Sequence, residues 1–198
     1  MRNQFIKAAF ATTTANGWSK NFTISGYCNG SGSRTSSAAS TIATFEGASV
    51  LSSTVTITGN YTNCTPASFA QSSTAYFDNS YMPLGSNSIG VNYGVYGALN
   101  VPATGKVGDT GIIGTENLYT NSTKLVTNGR MDVSYVIEAE TSSTAILNLI
   151  VKGYNAAGTL TFTEQDRYRI GTSGALTPLT VDIQYASPTN QHYLWTYN

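Results

Sequence analysis

From Met131 to Tyr185 apolar and polar residues alternate in successive short runs, and a chain with that period has few folds open to it. Successive side chains of a strand point to opposite faces, so a two-residue period marks a strand with one buried and one solvated face. Met131, Val133, Tyr135 and Ile137 share one face, opposite Asp132, Ser134 and Glu138. Ala145 to Val151 is apolar apart from Asn148 and reads as a central strand covered on both sides. Asn155-Ala-Ala-Gly158 is a hairpin turn signal, Leu160 to Ile170 is the next strand, and Gly171 to Gly174 is a second turn. Leu179, Val181, Ile183 and Tyr185 then alternate with Thr180, Asp182 and Gln184, and Ser187-Pro-Thr-Asn turns the chain into a last strand, His192 to Tyr197. No segment has a sustained helical period with caps. The expected fold is all-β: an antiparallel β-sandwich or meander sheets, with little or no helix.

The first half is less regular. Phe22 to Cys28, Thr41 to Phe45 and Val50 to Tyr61 read as strands, the last with Thr54, Thr56 and Thr58 on its solvated face. Asn29-Gly-Ser-Gly-Ser reads as a turn or loop. Cys28 and Cys64 each end a strand-like run, which is where a disulfide between neighbouring strands belongs, and such a bridge implies an oxidising compartment. Residues 1–20 could form a helical turn, pack on their own domain, or serve as an extended arm that donates a strand to a neighbour. The opening run is too short and too interrupted, at Lys7, for a signal peptide, and Met1 reads as a start placed after removal of an export signal. No run approaches the length of a membrane-spanning helix.

Charge is scarce and uneven. Only 10% of residues are charged and the formal net charge is zero, against roughly 25% charged residues in an average soluble domain. That leaves no electrostatic basis for nucleic-acid or anionic-membrane binding. Up to Gly105 the only charges are Arg2, Lys7, Lys20, Arg34, Glu46 and Asp78. The shift suggests an arm (1–20), a low-charge unit rich in Ser, Thr and Tyr (21–105) and a β meander (106–198), the last two separate or continuous. In the second half Val107-Gly-Asp-Thr-Gly, Glu164-Gln-Asp-Arg-Tyr-Arg-Ile and Val181-Asp-Ile-Gln-Tyr resemble segments of exported proteobacterial proteins of uncharacterised function, some of them lipoproteins. That resemblance covers the C-terminal half, implies an envelope or extracellular setting, and carries no site residues over.

Two groups of residues could carry function. Tyr76, Phe77, Tyr81, Tyr93 and Tyr96 lie among Gly, Asn and Ser, a mixture that suits either a shelf for a glycan, lipid or protein partner or a plug between two sheets. The charged cluster contains Glu138, Glu140, Glu164 and Asp166 with Arg130, Arg167 and Arg169. Paired carboxylates could hydrolyse glycosides or hold Ca²⁺, while a cross-strand ladder neutralised by the arginines is the structural alternative. Strict alternation puts Glu164 and Asp166 on the face of Phe162 and Tyr168, so either a bulge re-aims them or they point inward. His192 is the only histidine, so a zinc site of the usual kind is not expected, and no Gly-x-Ser-x-Gly elbow accompanies it. No catalytic residues are assigned. The expected function is a non-enzymatic exported structural protein that assembles with itself; a glycan- or lipid-binding module and a secreted hydrolase are the alternatives.

Overall fold

The computed structural model describes residues 5–171 and 174–198; Met1 and residues 172 and 173 of the expected 171–174 turn lie outside them. Helix α1 (Ile6–Asn16) leads into β1 (Trp18–Gly26), β2 (Gly30–Ser36), β3 (Thr41–Phe45) and β4 (Ala48–Tyr61). Then follow β5 (Ser68–Phe77), β6 (Pro83–Ser88), β7 (Asn92–Tyr96), β8 (Thr110–Tyr119) and β9 (Thr127–Ala139). The chain ends with β10 (Ala145–Tyr154), β11 (Leu160–Ile170), β12 (Leu176–Tyr185) and β13 (His192–Tyr197).

Every strand pairing is antiparallel, and β4 to β13 run as a meander. Two long-range pairings then close the sheet. β13 returns to β1, and β2 pairs with β4 over Gly30–Ser36 and Val55–Tyr61, leaving β3 outside. The result is a closed 12-strand barrel, which replaces the expected sandwich or open meander. The strands of 21–105 and 106–198 share this one sheet, joined at β7–β8 as well as β1–β13. Residues 30–33 of the expected 29–33 turn belong instead to strand β2, where inward Gly32 leaves room for the Phe22 ring.

Alternation sets which side chains fill the barrel. Phe22, Ile24, Ile137, Leu147, Ile170 and Val181 are buried inside, whereas Ser19, Asn21, Thr23 and Ser25 of β1 and Thr54, Thr58 and Asn60 of β4 face water. Helix α1 closes one end. Ile6 and Ala9 are fully buried against Ile137, Ala145, Leu147, Ile170 and Leu176, at or near the rim ends of β9 to β12. The Leu176 amide donates to Thr13 Oγ1 at 2.8 Å, and Gly17, at φ 67° with Ser36 O and Ala38 N 2.5 Å from where a Cβ would sit, turns the chain into β1. Residues 6–16 are therefore a helix docked on its own barrel, not an extended arm, and the strand begins before residue 20.

At the opposite rim Cys28 and Cys64 form the expected disulfide, Cα–Cα 5.7 Å, tying the β1–β2 and β4–β5 loops beside the β2–β4 seam. The β3–β4 hairpin folds back over the outer wall. Phe45 stacks on Tyr76 at 4.4 Å and lies 5.4 Å from Tyr93, while Tyr93 OH donates to Glu46 Oε1 at 2.8 Å and Lys124 pairs with Glu46.

Candidate functional site

A trough of about 660 Å³ lies on the outer wall, across β1, β2, β4 and β5 at the seam where β2 meets β4. Two glycines of the inner face lie behind it. A Cβ on Gly32 would stand 2.6 Å from Phe22 Cζ, and one on Gly59 would stand 2.4 Å from Phe69 Cζ. Rings of Phe22 and Phe69 occupy the inner-face space that side chains at Gly32 and Gly59 would otherwise take, directly behind the trough. Asn21, Thr23, Ser31, Ser33, Thr58, Asn60, Ser68 and the terminal Asn198 supply the polar lining, and no charged side chain joins them. Ser33 and Thr58 hydroxyls meet at 3.1 Å across the seam. Hydroxyls and amides both donate and accept hydrogen bonds, so this surface matches a ligand that is neutral and itself rich in hydroxyls.

A second polar region lies inside the barrel. Alternation on β11 is unbroken from Phe162 to Asp166; its register shifts lie to either side, between Leu160 and Phe162 against β10 and after Arg167 against β12, so Glu164 and Asp166 point inward with Tyr168. Arg34 of β2, on the inward register of its strand, acts electrostatically on both acids; its guanidinium lies 5.5 Å from the Trp18 ring centre and makes no direct ion pair with either of them. Asp166 is 9% exposed, and its Oδ1, Arg34 Nε, Trp195 Nε1 and Tyr197 OH have no hydrogen-bond partner among the described residues. Burial raises the Glu164 carboxyl well above the usual range and the Asp166 charge adds to this, with Arg34 opposing it. Burial also raises Asp166, again against Arg34. Farther round the wall, buried Glu116 accepts from Ser86 Oγ at 2.8 Å; burial raises its carboxyl too.

The four acids singled out in the sequence are thus divided between the two faces of the wall. Glu138 and Glu140 are outside, in the arginine ladder. Arg169 Nε donates to both Glu140 oxygens at 2.8 Å and holds that carboxyl low, and Arg167 Nε reaches Glu138 at 3.4 Å. Asn148 completes the ladder, donating to Glu138 at 2.7 Å and Gln165 at 3.0 Å. Among the described residues no three potential ligands gather to hold a metal ion. His192 pairs with Asp182 at 2.8 Å on an exposed rim, with no hydroxyl bonded to the ring among the described residues.

The five rings do not share one surface either. Tyr76 and Tyr93 lie outside beneath the β3–β4 hairpin, Tyr96 is inside next to Glu116, Phe77 is on the inward register of β5, and Tyr81 sits at φ 62° in the β5–β6 turn. The trough residues were visible only as outward Ser, Thr and Asn of separate strands; the signal that could have joined them is the glycine pair, Gly32 and Gly59, opposite aromatics. Compared with protein families, curated proteins and solved structures, the chain matches none of them.

Proposed function

We propose that this chain is an exported, non-enzymatic barrel that binds a neutral, hydroxyl-rich ligand, a glycan chain foremost, in the trough over the β2–β4 seam. The trough itself is the observation that carries the reading: it has the volume of a small-molecule site and a lining of uncharged hydrogen-bonding side chains. An anionic ligand would find no cation there. The disulfide favours an oxidising compartment. The outer strands around the seam present Ser, Thr and Asn, whereas a membrane-spanning barrel carries an apolar band outside and polar groups within. Among the described residues no helix is long and apolar enough to cross a membrane.

Titration calorimetry against soluble neutral oligosaccharides tests the reading. Thr58→Ala and Asn60→Ala each remove an outward polar group, so affinity should fall about tenfold, the equivalent of ~1.4 kcal/mol, with the unfolding midpoint unchanged. Absence of binding to any neutral glycan at millimolar concentration, or binding indifferent to both substitutions, would overturn it.

A further inference from the structure

The interior of the barrel holds more negative than positive partners. Glu164 and Asp166 lie two residues apart on the inner face of β11, and the cation that acts electrostatically on them is Arg34 of β2. Lys20 of β1 stands opposite Arg34 in the register but forms no ion pair with either acid. Among the other titratable groups turned inward are five tyrosines, Tyr168 on β11, Tyr185 on β12, Tyr193 and Tyr197 on β13 and Tyr61 on β4, and, farther round the interior, Glu116 with Tyr96. All five of those tyrosines are shifted up by burial, so they stay neutral and supply no balancing charge at physiological pH. Two carboxylates, half-buried Glu164 and buried Asp166, against one guanidinium would leave one charge uncompensated, a costly state that buried acids avoid by keeping a proton.

We propose that Glu164 and Asp166 hold one proton between them inside the closed barrel, and that its release as pH rises is a switch that rearranges the wall around Arg34. The balance is simple: one proton leaves the carboxyl pair for solvent, and the pair goes from one negative charge to two. Asp166 Oδ1, Arg34 Nε and Tyr197 OH have no partners among the described residues in the closed arrangement, so polar atoms are in place to re-pair when the second charge appears. The folded pair keeps a proton that an unfolded chain would already have lost. The unfolding constant therefore rises with pH, by up to tenfold per pH unit, from the ordinary carboxylate range up to the raised value of the pair, and levels off above it.

Both tryptophans report on the site. Trp18 lies beside Arg34, and Trp195 stacks on Phe22 at 4.6 Å in the same interior. The experiment follows intrinsic fluorescence of the full chain between pH 4 and pH 9 without denaturant. A reversible transition above the ordinary carboxylate range is expected, absent in Glu164→Gln and retained in Glu116→Gln, which removes the other buried acid. No transition in the wild type, or one that survives Glu164→Gln, would overturn the proposal. If Glu164→Gln does not fold, carboxyl ¹³C resonances of the wild type decide it. Glu164 or Asp166 titrating well above its ordinary value supports the shared proton; ordinary values for both sink it. Neither readout depends on what the trough binds.

Discussion

Gly32 and Gly59 carry the local shape of the wall. At Gly32 an added methyl would stand 2.2 Å from Thr58 O and 2.6 Å from the Phe22 ring, and at Gly59 it would stand 2.4 Å from the Phe69 ring. Neither ring can retreat without disturbing a stack: Phe22 lies 4.6 Å from Trp195 at an interplanar angle of 4°, and Phe69 lies 5.0 Å from Tyr61. Gly32→Ala and Gly59→Ala are therefore expected to destabilise the barrel by ~1–3 kcal/mol each through overpacking, read as a lower urea midpoint with an unchanged slope. Gly47, at the tip of the β3–β4 hairpin, is the contrast, since a Cβ there would meet nothing within 4 Å. Its φ of 79° follows Glu46 at 51°, so the cost of Gly47→Ala would come from backbone conformation alone. At this scale the sequence spoke clearly where alternation was strict. The inward aim of Glu164 and Asp166 follows from counting residues between Phe162 and Tyr168 along β11.

Elements were legible in proportion to how much side-chain pattern they carry. β3, β11 and β13 have the bounds expected from the sequence, Thr41–Phe45, Leu160–Ile170 and His192–Tyr197. β2 was hidden because Gly30-Ser-Gly-Ser alternates glycine with serine, and neither signals a buried face; its strand conformation comes from its neighbours, seven paired positions with β1 and seven with β4. Helix α1 was hidden for a different reason. It has no acidic residue in its first turn, no basic residue in its last and no side-chain cap, so nothing local marks its ends. An 11-residue helix rich in Ala and Thr is marginal alone and owes its stability to tertiary packing. Ile6, fully buried among Ile137, Ala145, Leu147, Ile170 and Leu176, supplies much of that packing. Ile6→Ala should cost ~2–4 kcal/mol and detach the helix from the rim, measurable as a lower thermal midpoint together with loss of the slow-exchanging Leu176 amide.

Closure of the barrel was the least legible feature, because it depends on pairing β1 with β13 and β2 with β4, contacts that no local pattern encodes. It also decides how the whole molecule meets others. A closed barrel has no sheet edges to offer, and the expectation of assembly by edge pairing rested on such edges and on a free N-terminal arm. Among the described residues the outer side of β3, five residues long, stays open on a hairpin clasped to the wall by Phe45, Glu46 and Lys124, and the 68–73 part of β5 has no partner in β6. The segment imagined as a donor is instead the plug of its own barrel, through Ile6 and Ala9. Light scattering after size exclusion should therefore give a single species of monomer mass, 21.0 kDa, at low and high salt alike. Removal of residues 1–16 should then expose the apolar rim around Ile137, Leu147 and Ile170, turning a monodisperse protein into an aggregating one. Ordered polymers of the intact chain that disappear on truncation would give the opposite answer. They would mean that α1 leaves its own rim to dock on a neighbour, and assembly would replace ligand binding as the role of this barrel.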